Sequence, residues 1–291
     1  MAAQAQEERE RGREHGPEEG EREFTFSRFA RQDFYKAVNA HLIQLLDVEP
    51  GMRVVDLACG TGAVTKLLLE RLQGLRNSVI VAVDASAEAL EIARREISRT
   101  ASTAVSFVQA RAEELAEKLK ETVDAVVFCN AIHLVEDKAQ ALREIAQLLK
   151  PQGQFAFNST FFAEAQPPET ERFYLRWMSR AVRILRRDHG LRPSRDVKVA
   201  ARRPLSVEEY RELLRAQGFQ VRRLELETVP VPLEGWLGIS EFGDFIRGAL
   251  PGVPLAEGRR ALQEAVTAVF RDLELTAVPR RWLQVVAVRS P

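Results

Sequence analysis

Three observations predict an α/β protein built on a doubly wound, mostly parallel sheet. The run Val54-Val55-Asp56-Leu57-Ala58-Cys59-Gly60-Thr61-Gly62-Ala63-Val64-Thr65 reads as a buried strand, a tight glycine turn and the first turn of a helix. A second apolar strand, Val79-Ile80-Val81-Ala82-Val83, ends in an acid, Asp84, 22 residues beyond Gly62. From there to Ser159, strand-like and helix-like segments alternate, as βαβ units do.

The elements follow in order. Phe34, Ala37, Val38, Leu42, Leu45 and Leu46 recur at helical spacing, which predicts an amphipathic helix ahead of the first strand. Pro50-Gly51 turns the chain into strand one, about 53–58, and its helix runs from about Gly62 to Gln73. Strand two spans about 78–83. Ser86 caps a helix to about Ser98, with Glu88 early and Arg94-Arg95 late, as the helix macrodipole prefers. Strand three is Ala104–Gln109, a short helix covers about 112–120, and strand four is Val123–Asn130. A helix from Lys138 to Leu149 stops before Pro151, and strand five is Gly153–Ser159. Beyond it the alternation fails. Residues 166–188 read as an inserted helix, and a helix over 206–217 ends at Gly218, a natural residue for a helix end. Strand six is Phe219–Val229; helices at about 234–249 and 255–273 precede a last strand, Trp282–Arg289.

This pattern divides the chain into a charged tail (1–23), a core (24–161), an inserted helical cap (162–205) and a segment that completes the sheet (206–291). That last segment carries a second helical insertion, 234–273. The tail cannot bury enough apolar surface to offset its ordering entropy, so disorder is expected. The 42 basic and 42 acidic residues cancel, so no global field points to nucleic acid or an anionic membrane. The first 23 residues lack an apolar signal-peptide core, and no apolar run is long enough to span a bilayer. Two cysteines, Cys59 and Cys129, argue against a disulfide scaffold and for a reducing cytoplasm. Buried free thiols on adjacent strand ends are expected, with a redox pair as the minor alternative. No cluster has metal-ligand spacing, so metal independence is expected.

The glycine turn narrows the ligand class. A dinucleotide fingerprint needs Gly or Ala three residues after Gly62, where Thr65 stands, and no Gly-Lys-Ser/Thr follows for a phosphate loop. What remains, Asp56-x-Ala58-x-Gly60-x-Gly62 followed by Asp84, resembles the first motifs of the class I S-adenosylmethionine (SAM) methyltransferases. Asn130-Ala131-Ile132-His133 resembles that family's stretch after strand four, and Leu149-Lys150-Pro151-x-Gly153 its turn into strand five.

The resemblance implies a Rossmann-like sheet whose last strand runs antiparallel between strands five and six, with the inserted helices roofing its carboxyl edge. It implies SAM as cofactor and S-adenosylhomocysteine (SAH) as product. Asp56 would support the glycine loop and the methionine amino group, Ala58, Gly60 and Gly62 would form the loop, and Asp84 would take the ribose hydroxyls. Ala85, Ala112 and Glu113 would frame the adenine, Asn130 and Ala131 would pass the sulfonium, and Tyr35 joins this cofactor set. The chain departs from the family at Arg111, which stands where an acid often meets the adenine amino group. A guanidinium offers no acceptor, so Arg111 is expected to face solvent, with a weak or altered nucleoside site as the alternative.

For the chemistry, His133 is the candidate catalytic base, with packing beside the cofactor and orienting the acceptor as the alternative. His41 is expected at the surface, and His189 at the end of the inserted helix. His133, Tyr174, Trp177 and Trp236 are candidate acceptor-binding residues. Arg172, Arg176, Arg180, Arg183 and Arg187 line one face of the inserted helix, either as a solvated face or as a site for an anionic substrate. The expected partner is a small-molecule acceptor, anionic or aromatic. Strand four ends without Asn/Asp-Pro-Pro-Tyr/Phe, which argues against base or glutamine-amide methylation. The resemblance slightly favours oxygen over carbon or nitrogen. The alternatives are a methyltransferase for protein or RNA, a SAM-binding protein without methyl transfer, and, more distantly, an NAD oxidoreductase. A monomer or a homodimer is expected.

Overall fold

The computed structural model describes residues 27–73, 77–97, 104–194 and 204–290. The expected tail (1–23) and the cap residues 195–203 lie outside them. The chain opens with α1 (Ser27–Ala30) and α2 (Asp33–Gln44). The alternating core is β1 (Arg53–Leu57), α3 (Ala63–Leu72), β2 (Val79–Asp84), α4 (Ala87–Ile97), β3 (Ala104–Gln109), α5 (Leu115–Lys118), β4 (Val123–Cys129), α6 (Lys138–Leu148) and β5 (Leu149–Ser159). Then follow α7 (Glu171–His189), α8 (Val207–Ala216), β6 (Phe219–Pro232), α9 (Leu233–Ile239), α10 (Gly243–Ala249), α11 (Leu255–Asp272) and β7 (Ala277–Arg289).

The strands form one sheet in the order β3-β2-β1-β4-β5-β7-β6. The first five pair in parallel, and β7 lies antiparallel between β5 and β6. Alternate residues of each inner strand face opposite layers. Val55, Leu57 and Val81 pack with Leu115, Ile145 and Leu214, whereas Val54 and Ile80 pack with Leu42 and Leu68. Helices thus cover both faces, and β1 has β2 on one side and β4 on the other. The chain order reverses at that point, and open α/β sheets bind ligands at the carboxyl edge there.

A third apolar cluster forms the roof. Phe173, Trp177, Leu185, Trp236, Leu262 and Trp282 belong to it. The pairing of β6 with β7 continues from Leu226↔Leu283 to Pro232↔Ala277, whereas β5 ends at Ser159↔Leu283. These two strands therefore overrun the carboxyl end of β5, and the end of β6 and the start of β7 enter the roof. Pro230 and Pro232 are tolerated because β6 is an edge strand.

Five elements differ from those read off the sequence. Leu149 already pairs with Val123, and the register then shifts before Ala125↔Gln154, so β5 begins ahead of Gly153. Both β6 and β7 are longer than expected at their roof ends. The inserted helix begins at Glu171, after a 3₁₀ turn over Pro168–Thr170. The helix expected over 234–249 is two helices. Phe242 is extended between them (ψ 117°), and the Ser240 hydroxyl donates to the Trp236 carbonyl at 2.7 Å. The apolar pattern runs through this break without interruption, so periodicity does not register it.

Candidate active site

The glycine turn is built from below by Asp56. This carboxylate is buried at the end of β1 and accepts the Thr65 hydroxyl at 2.5 Å as well as the Thr65 backbone N–H. Thr65, the residue that breaks a dinucleotide fingerprint, here ties the first turn of α3 to the strand. Burial, and secondarily the charge of Asp84, pushes the Asp56 carboxyl up to about 7, against the opposing pull of Thr65.

Ala58, Gly60 and Gly62 all have positive φ (55°, 53° and 88°). The two glycines serve different needs. A Cβ on Gly62 would lie 2.9 Å from Ile97 Cδ1, so Gly62 permits helix packing. A Cβ on Gly60 would meet no atom within 4 Å; it would project into open space beside Asp84. The Gly60 N–H donates to Asp84 Oδ2 at 2.8 Å, and the Ser86 N–H to Asp84 Oδ1 at 2.9 Å. Asp84 thus orients loop and strand together.

Along the same edge, Ala85 is exposed, Ala112 is buried, and Glu113 is half-buried and paired with Arg111 at 3.6 Å. The Arg111 side chain is 61% exposed, as expected for a guanidinium with no role toward an amino group.

Asn130 ends β4 in the left-handed region (φ 49°) and is buried with Ala131. Its backbone N–H donates to Asn158 Oδ1 at 2.9 Å, and its Oδ1 accepts from Trp282 Nε1 at 3.1 Å. Asn158 Nδ2 donates to Asn39 Oδ1 at 2.9 Å. The Tyr35 hydroxyl bonds with the side chains of Asn39 and Asn130, and burial raises its pKa. Tyr35 therefore reaches the site through Asn130, as part of a buried network fixing the turn after β4. Asn39 and Asn158 were not singled out in the sequence, since an isolated asparagine carries no signal of burial.

His133 follows within a 3₁₀ turn over Ile132–Leu134. Its Nδ1 lies 3.3 Å from Ser159 Oγ, and its ring stacks on Phe161 with centroids 4.3 Å apart. It borders a cavity of about 1100 Å³ between the carboxyl edge of the sheet and α7. Phe161, Phe162, Tyr174, Met178, Tyr210 and Phe245 are among the other lining residues.

Of the candidate acceptor residues, the structure brings His133 and Tyr174 to this cavity. It places Trp177 and Trp236 elsewhere. Both are buried in the roof, and their indole N–H groups donate to the carbonyls of Leu262 (2.9 Å) and Val231 (3.1 Å). Their spacing on apolar helix faces reflected core packing. On the arginine face of α7, Arg180 pairs with Asp272, and Arg187 with Asp188 and Glu264. Cys59 and Cys129 are both free and buried. No helix among the described residues is long and apolar enough to cross a membrane.

A residue missed in the sequence dominates the polar chemistry of the cavity. Arg280, on the roof end of β7, is 4% exposed and lines the cavity. Its Nε donates to Thr160 Oγ1 (2.7 Å), its Nη2 to the Thr160 carbonyl (2.8 Å), and its Nη1 to the Tyr174 hydroxyl (2.8 Å). The period-2 pattern Val278-x-Arg280-x-Trp282 was the available signal, because it puts Arg280 on the buried face of a strand.

Residues 48–186 match the family model of a methyltransferase domain. With the Asp56–Gly62 loop and Asp84 in place at the switch point, these residues form a class I SAM-dependent methyltransferase domain. The ubiquinone/menaquinone biosynthesis C-methyltransferase UbiE of Stenotrophomonas maltophilia is 36% identical over 121 residues, 41% of this chain and 47% of that protein. The chain thus spans about half the length of the curated relatives it matches. Among solved structures, YcgJ of Bacillus subtilis is similar with a TM-score of 0.53 at 17% identity, covering 88% of this chain and 99% of that one. The mycolic acid cyclopropane synthase CmaA1, solved with SAH, gives 0.53 at 14% identity, covering 88% and 84%.

The cofactor of this class is SAM, and the residues present fit it. The open space at Gly60 leaves room for backbone approach, the Asp84 carboxylate borders it with acceptor capacity for a diol, and Asp56 offers a buried acid to an ammonium.

Proposed function

We propose that this chain transfers the methyl group of SAM to a small, largely apolar or aromatic molecule held in the cavity beneath α7. The observation that carries the reading is the cavity itself. It adjoins the Asn130–His133 turn, is lined mainly by apolar and aromatic side chains, and is of the size that encloses a small ligand. A protein or RNA acceptor would call for an open docking face. The basic face of α7 is partly neutralised by Asp188 and by Glu264 and Asp272 of α11, which weakens that alternative.

SAM supplies an already activated methyl group. The protein's task is therefore to align the acceptor atom and exclude water, and alignment of this kind is worth roughly 7–11 kcal/mol. The Asn39–Asn130–Asn158 network and Trp282 hold the turn after β4 rigidly, so the acceptor is presented from one side. His133, held by Ser159 and Phe161, stands where it removes a proton from an acceptor that must lose one. The named activity of the UbiE relatives supports a carbon acceptor over the oxygen expected from the sequence. Two buried thiols suit the reducing cytoplasm expected from the sequence.

The test is SAH release from SAM in the presence of quinol, phenol and other small aromatic acceptors, set beside protein and RNA substrates. Turnover with a small molecule, with the product heavier by one methyl group, is the expected result. Turnover confined to macromolecules would overturn the reading.

A further inference from the structure

We propose that Arg280 is the anchor for a carboxylate on the acceptor, so that the cavity selects a monoanionic molecule with an apolar or aromatic body. This rests on the methyltransferase reading above and deepens it. A guanidinium stays charged at all relevant pH, and burying it among apolar side chains, as Arg280 is buried, is costly unless a counter-charge joins it. Around Arg280 every protein partner is neutral. Thr160 and Tyr174 accept three of its N–H groups, and the Phe161 and Trp236 rings face it at 5.3 and 5.7 Å. No carboxylate among the described residues lies within the 4.0 Å of an ion pair. Five N–H donors minus these three leaves two, enough for a bidentate carboxylate.

The surroundings match that role. The Thr160 and Tyr174 bonds fix the guanidinium from both the end of β5 and the roof helix, so its direction is set before a ligand arrives. Tyr210 lines the same cavity, and its buried hydroxyl has no hydrogen-bond partner among the described residues. One buried cation balances one negative charge. The other charged lining residues offset one another: Glu136 and Asp244 stand beside Lys138 and Arg247, and Arg247 pairs with Asp244 at 3.2 Å. This basic site differs from the arginine face of α7, of which Arg180, Arg183 and Arg187 line a separate groove against α11.

The experiment uses the full chain loaded with SAH, with 1-naphthoate and decanoate as probes beside their uncharged amides, read by ligand-observed NMR and calorimetry. At least one carboxylate is expected to bind about tenfold or more tightly than its amide, the scale of a charge-assisted contact. That preference is expected to vanish in Arg280→Gln while SAH affinity holds. Arg280→Lys, which keeps the charge but loses the fork, should retain part of it; this variant and the wild-type carboxylate/amide ratio decide the matter if Arg280→Gln fails to fold. A purely structural arginine would give no carboxylate preference, and equal binding of acids and amides with SAH bound would overturn the proposal while leaving the methyltransferase reading intact. Failure of SAH itself to bind would overturn that reading and, with it, the role of Arg280 toward an acceptor.

Discussion

Asp56 should make the stability of the cofactor-free protein depend on pH in a way that one substitution removes. Its carboxyl is moved from the ordinary 3.8 to about 7 by burial. An acid raised in the folded state is still protonated there when the unfolded chain has already released its proton. Between about pH 4 and pH 7 the folded state therefore binds more protons, and stability falls as pH rises, levelling off above 7. At 1.36 kcal/mol for each unit of pKa, the whole effect is about 4 kcal/mol as an upper bound, of which about 2–3 kcal/mol falls between pH 5 and pH 8. Asp56→Asn preserves an acceptor for the Thr65 hydroxyl and removes the titration. Urea unfolding of both proteins at pH 5, 6, 7 and 8 isolates the term. The variant should gain on the wild type by about 2–3 kcal/mol across that range, with no further gain above pH 8. A difference that stays constant with pH would refute the assignment of Asp56 as a buried, raised acid.

Other expectations concern the cofactor loop and the base. Asp84→Ala should weaken SAM binding by about 1.5–3 kcal/mol, the scale of hydrogen bonds to a charged group; calorimetry showing unchanged affinity would remove Asp84 from the site. Gly60→Ala and Gly62→Ala should each destabilise the fold by about 1–2 kcal/mol because φ is positive at both, with Gly62→Ala the worse for its approach to Ile97. SAM affinity, by contrast, should fall far more for Gly60→Ala, and equal losses in the two variants would contradict their division of roles. With an acceptor in hand, His133→Ala should lower turnover about 100-fold or more while SAM affinity changes little. Equal losses in both would make His133 a cofactor contact.

Much of the cofactor half was legible because its signals are local. A glycine turn after an apolar strand, an acid after the next strand and a run of alternating elements each declare themselves within a dozen residues. Thr65 shows the limit of such signals, because it served only to exclude a dinucleotide motif, whereas its bonds to Asp56 appear only in three dimensions. The acceptor side was less legible. Trp177 and Trp236 fitted a pocket by residue type, but long-range packing of α7 against α9 and α11 buried them. Arg280 was passed over because Pro279-Arg280-Arg281 reads as a charged approach to a strand. Its burial depends on β7 extending past the end of β5, which only the pairing with β6 establishes. The split of α9 from α10 likewise rests on a backbone turn that hydropathy does not record.

The most direct measurement is a calorimetric titration of the purified protein with SAM and with SAH, using NAD as control. The account predicts saturable, one-to-one binding of both sulfur nucleosides, weakened by Asp84→Ala, and no binding of NAD. Binding of NAD, or of neither SAM nor SAH, would contradict it.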